Sequence, residues 1–195
     1  MHVPAPAGKP VAPARKGFRW FWFVAPPALA ATASLIGAVF PGGSLYVWSY
    51  ALFFWILVAA GWVVLLLLPR YRRRAGIAVA PLLAVLTYGV VAADLPIRMA
   101  FAISESALSD YVRSLPLHPE DVSMGDVESG LGVEWVGVFP VGRAVRHVGS
   151  TDLGVVGAGG WLEFCGLSYV TGDKVEGFST ADHLSGDWYV TCEDF

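Results

Sequence analysis

Between Pro69 and Arg74 the chain reads Pro-Arg-Tyr-Arg-Arg-Arg, and the apolar runs on either side are each long enough to cross a bilayer. Cationic loops are held on the cytoplasmic side during membrane insertion. Arg70, Arg72, Arg73 and Arg74 therefore fix the topology: they set the direction of both flanking runs and, through them, the side on which the last third of the chain lies. The cluster constrains orientation and carries no chemistry of its own.

The composition divides in the same way. Of 195 residues, 55% are hydrophobic and 15% charged, with a mean hydropathy of +0.57, which is too apolar for an ordinary soluble domain. A net charge of −3 conceals two halves of opposite sign. Residues 1–103 carry nine Lys or Arg and one acid, Asp94, whereas residues 104–195 carry four Lys or Arg and fifteen acids. The acidic half lacks the basic face that displaces counterions from phosphates, so no nucleic-acid partner is expected. The basic residues of the first half suit the headgroups of a lipid bilayer, which is the expected partner there. The chain has no Asn or Gln, hence no N-glycosylation acceptor, and its turns must be made by Gly, Pro, Asp and Ser.

Residues 1–17, rich in Pro and Ala, read as a disordered cytoplasmic tail. Residues 18–96 read as a region of three transmembrane helices, with spans near 20–40, 45–68 and 75–93. The first opens on an aromatic belt, Phe18 to Phe23, and contains Pro26-Pro27, which must kink it. Ala31-Thr32-Ala33 resembles a signal-peptide cleavage site, but the apolar run continues to Phe40 and favours a retained span. Pro41-Gly42-Gly43-Ser44 makes a tight exterior turn into the second span. The third ends at Asp94, roughly 30 Å from the arginine cluster at the helical rise per residue. That depth is the outer interface, where Asp94 and Arg98 are expected to pair as i,i+4 neighbours.

Residues 97–195 read as a small extracytoplasmic α+β domain. Phe101, Leu108, Val112 and Leu115 have helical spacing and end at Pro116, so a helix should continue the third span outward. An acidic connector follows, through Gly130. Beyond it, short runs between Gly-rich turns predict an antiparallel sheet of about five strands: 132–139, 141–148, 153–156, 161–169 and 188–193. In the last, Trp188, Val190 and Cys192 alternate with polar residues, which points Cys192 into a core. The face of Cys165 is less regular, since Glu163 shares it; either Glu163 sits at an edge or Gly166 makes a bulge. In an oxidising exterior Cys165 and Cys192 are expected to form a disulfide, two buried free thiols being the alternative.

The segments Trp135-Val-Gly-Val-Phe139, Trp161-Leu-Glu-Phe-Cys165-Gly-Leu-Ser-Tyr169 and His183-Leu-Ser-Gly-Asp-Trp-Tyr189 resemble a family of small uncharacterised actinobacterial membrane proteins, which place a short domain after a few spans. The resemblance covers the last third of the chain. It implies this topology and carries no activity, cofactor or site residue.

Chemistry is sparse. Asp182-His183, Ser179, Ser185, Glu163 and His147 are the candidates for acid, base or nucleophile, but neighbours such as Asp182 and His183 do not face each other in a strand. No GxSxG elbow or SxxK motif is present. His118 with Glu120, Asp121, Asp126 and Glu128 lacks the spacing of a calcium loop. Gly154 to Gly160 has no GK[ST] and reads as a hairpin turn with close backbone approach. No cofactor, metal or catalytic residue is expected. The sequence points to a membrane-anchored exterior module, non-enzymatic, that binds a protein or envelope partner, with aromatics such as Trp135, Trp161 and Trp188 split between core and contact surface. The alternative is an accessory subunit of a membrane transporter or envelope-assembly complex.

Overall fold

A computed structural model describes residues 21–68, 75–118, 132–160, 163–171 and 180–194. The predicted tail, the arginine cluster Arg70 to Arg74 and the acidic connector lie outside the described residues. Helix α1 (Phe21–Gly37) is followed by α2 (Leu45–Leu67), a 3-10 turn (Ala75–Ala78) that runs into α3 (Val79–Ala92), and α4 (Leu95–Ser114). These helices coincide to within three residues with the apolar runs 20–40, 45–68 and 75–93 and with the helical pattern 97–115. Among the described residues, α2 alone is long and apolar enough to cross a membrane, and α3 with α4, bent by 53° at their junction, makes a second candidate. The membrane region is thus supported as one or two candidate spans.

α1 is the middle helix, packing on both α2 and α3, while α2 and α3 touch little. The reason lies in side-chain size. Ala30, Ala31 and Ser34 of α1 and Ala51 of α2 are buried, so the helix backbones approach closely. Two indoles complete this interface: Trp55 Nε1 donates to Ser34 Oγ at 3.0 Å, and Trp62 Nε1 donates to the Ile77 carbonyl at 2.9 Å. The outward face of α2 is apolar throughout, with Leu52, Phe53, Ile56 and Val64 exposed.

Asp94 turns α3 into α4 with φ at 53°, the left-handed region that Asp tolerates better than most residues. Its expected partnership with Arg98 is made by the backbone, the Arg98 amide donating to the Asp94 carbonyl at 3.1 Å, while the Asp94 side chain makes no capping bond. Pro96 at the first turn fits, because its missing N–H is one the helix could not use. α4 buries one stripe, including Ile97, Phe101, Leu108 and Val112.

The sheet has six strands rather than about five: β1 (Glu134–Val136), β2 (Phe139–Arg146), β3 (Ser150–Val155), β4 (Glu163–Val170), β5 (Thr180–Ser185) and β6 (Trp188–Asp194). All pairings are antiparallel, in the order β1-β2-β3-β4-β6-β5. Pro140 does not end a strand as predicted. It lies near the start of β2 beside the short β1, and its carbonyl accepts from Val156 at 2.8 Å. The strand not predicted, β5, is polar and sits at an edge, so it shows no apolar alternation.

One sheet face packs on α4. Phe101 and Tyr169 both set their rings against Trp188, with centroids 5.6 and 5.1 Å away. The Gly137-Val138 turn hooks onto α4, where the Val138 amide donates to Ser104 Oγ at 3.0 Å. Cys165 and Cys192 are cross-strand partners on this face and form the predicted disulfide. The register of β4 with β6 runs unbroken from Glu163 to Tyr169, so no bulge occurs at Gly166 and Glu163 is simply the exposed first residue of its strand. Gly166 serves close approach instead, since a Cβ there would overlap the Leu153 carbonyl.

Candidate functional site

The bundle and the sheet domain meet through the turn between α1 and α2. That turn closes with the Gly43 amide donating to the Phe40 carbonyl at 2.8 Å. The Gly159 amide donates to the Gly43 carbonyl at 2.8 Å, and the Leu45 amide donates back to the Gly159 carbonyl at 3.3 Å. Gly42, with φ at +63°, lies on the disulfide so closely that any Cβ would collide with the Cys165 sulfur. The predicted exterior turn is therefore a docked element, with Pro41 and Ser44 buried. The close backbone approach expected within Gly154 to Gly160 occurs at Gly159, which bonds this turn and leaves no space for a Cβ against the Glu163 carbonyl.

Beside the junction opens a cleft of about 230 Å³. Phe40 and Trp48 come from the bundle side, Asp94 and Arg98 from the α3–α4 break, and Asp182 and His183 from edge strand β5. All four charged or titratable groups are exposed. His183 is held by a 2.9 Å bond between Nε2 and the Gly186 carbonyl and by its ring against Tyr189. The sequence marked Asp94 with Arg98 and Asp182 with His183 as separate pairs. What it could not show is that chain folding brings the two pairs to one cleft at the domain boundary.

A second polar feature crosses the sheet face opposite α4. Register aligns Val145, Asp152, Ser168, Tyr189 and His183 in one row across five strands. Ser168 Oγ donates to Asp152 Oδ1 at 2.6 Å and lies 2.7 Å from Thr191 Oγ1. Burial raises the Asp152 carboxyl above its ordinary value, partly offset by the Ser168 bond and by His147. The sequence did not single out Asp152, which lies just before the predicted strand 153–156 and inside the observed β3.

The other sequence candidates stay apart. Ser185 is exposed at the β5–β6 turn, Glu163 opens β4, and His147 follows β2 at the far end of the domain. Ser179 and the acids Glu120 to Glu128 lie outside the described residues. Among the described residues no group of three His, Cys, Asp or Glu could hold a metal ion. Of the three tryptophans expected to divide between core and contact surface, Trp188 is buried, Trp135 is exposed, and Trp161 lies outside the described residues. No protein family, curated protein or solved structure matches the chain.

Proposed function

We propose that this protein is a membrane-anchored, extracytoplasmic binding module, non-enzymatic, whose partner engages the junction cleft at the membrane surface. The reading takes α1, α2 and α3 as three spans with the N-terminus inside, and follows the resemblance to the actinobacterial family for topology. One observation carries it. The α1–α2 turn is stitched by backbone bonds to Gly159 and rests on the disulfide, so bundle and domain form a continuous frame around Asp94, Arg98, Asp182 and His183. Such a frame presents polar groups of both signs at fixed positions, which suits recognition and supplies no reaction machinery. The disulfide is consistent with an oxidising exterior.

A photocrosslinking residue at position 183, in intact membranes, is expected to give a reproducible adduct that the same residue at exposed Val148 does not. Equal labelling from both positions, or none from either, overturns the reading. Cysteine-accessibility labelling near Arg72 and Asp187 checks the topology, and outside labelling of both positions refutes it. The transporter-subunit alternative draws on a different observation. α2 and α3 leave between them an apolar groove of about 130 Å³, lined by Trp55, Ala59, Trp62, Ala80 and Ala84, whose small residues would admit a partner helix.

A further inference from the structure

The exterior half holds four cationic residues, Arg113, Arg143, Arg146 and Lys174, against fifteen acids. Two of the four converge. At the C-terminal end of α4 a pocket of about 260 Å³ is lined by Arg113, Arg146, His147, Ser150, Thr151 and Thr171. Arg146 is anchored there, its Nη1 donating to the carbonyls of Arg113 at 3.1 Å and Leu115 at 3.0 Å. These bonds satisfy carbonyls that a helix end leaves open, and they neutralise the negative end of its dipole beside the pocket. The Arg113 side chain is exposed, and Ser150 and Thr171 bring hydroxyls around the left-handed turn at Gly149.

A second observation points to a ligand. Nδ1 of His147 is buried without a hydrogen-bond partner, as is Nδ1 of His118, whose amide bonds the Arg146 carbonyl at 2.8 Å. Buried polar atoms in folded proteins are nearly always paired, and this unpaired one belongs to a residue that lines the pocket together with Arg113 and Arg146. Asp152, whose carboxyl is influenced by His147, belongs to the opposite sheet face from Thr151, because successive strand residues alternate.

We infer that this pocket binds a phosphate group carried by a soluble or polymer-borne phosphate ester. Guanidinium forks match phosphate oxygens, and hydroxyls and an imidazole complete a site for one such group. The pocket is too small and isolated for a nucleic-acid backbone, which needs a basic stripe. On the membrane reading above, a lipid headgroup is disfavoured by position: α4 has 20 residues and carries the pocket roughly 30 Å along its axis from Leu95.

The test is calorimetric titration of the full chain in mild detergent at low ionic strength, with inorganic phosphate and then glycerol phosphate as probes. Saturable binding of both is expected. Arg113→Gln should weaken it at least tenfold with unchanged melting, since the Arg113 carbonyl that anchors Arg146 is retained. Ser150→Ala should weaken it severalfold, and phosphatidylglycerol in the micelle should not compete. No saturable binding, binding unchanged in Arg113→Gln, or equal competition by the lipid overturns the inference. None of these outcomes depends on the junction cleft, so failure here is separable from failure of the reading above.

Discussion

α2 and α4 are of similar length, 23 and 20 residues, and want opposite surroundings. α2 is apolar on every side and has one buried residue, Ala51, so protein packing does not account for its composition. α4 buries an apolar stripe against the sheet, leaves Leu95, Met99 and Ile103 exposed in its first half, and shows Glu105, Asp110 and Arg113 to the outside. A helix apolar all round belongs in an apolar medium, and one with a single stripe belongs at the edge of a water-facing core. The chain bends at Asp94, over the two residues that separate α3 from α4, and exposed apolar residues persist as far as Ile103 before Glu105 and Asp110 take over the outer face. The same chain thus builds one region whose outside is apolar and another whose inside is.

The sharpest way to break that contrast is to destabilise one region and watch the other. Replacing both cysteines by Ser opens a loop of 27 residues and should cost the sheet domain about 3.5 kcal/mol on the chain-entropy account. Near-ultraviolet dichroism should lose the Trp188 signal at lower denaturant while far-ultraviolet helicity persists; simultaneous loss of both would show that the regions are not separable. Gly42→Ala acts at their seam, where φ is +63° and the disulfide leaves no space. It should cost roughly 2 kcal/mol as backbone strain and lost docking, read as faster proteolysis between α1 and α2.

Asp152 probes the domain alone. The folded state holds this proton more tightly than the unfolded chain, whose carboxyl keeps the ordinary 3.8. The contribution of Asp152 is therefore fully present below that pH and is lost as pH rises through the elevated folded value. Asp152→Asn should flatten this slope in denaturation series across acid pH, and an unchanged slope would assign it to another group. The smallest effect belongs to the bundle. Trp55→Phe removes the bond to Ser34 and should cost about 0.6 kcal/mol, the usual worth of such bonds in a membrane.

Legibility differed between the regions for physical reasons. Long apolar runs and periodic stripes are local signals, so Leu45 to Leu67 and the α4 face Phe101, Leu108, Val112 could be read directly. The alternation of Trp188, Val190 and Cys192 exposed the core face of β6 in the same way. β5 lacked such alternation, yet Ser185-Gly186-Asp187-Trp188 carried a two-residue hairpin signal, with Gly186 at φ 57°. The convergence of Asp94 and Arg98 with Asp182 and His183, and of Arg113 with Arg146, depends on tertiary docking across long stretches of sequence. No local pattern encodes it.

The docking of Gly42 and Gly43 on Cys165 and Gly159 also orders events in time. A turn near residue 42 must await partners more than a hundred residues later, a closure of high contact order that is slow to find. Helix α1 can pair with α2 early, but the turn that joins them stays unfinished until Cys165 of β4 and Cys192 of β6 are joined. The first turn to be made is the last to be locked, and thiol oxidation becomes the step that reports assembly of the whole molecule.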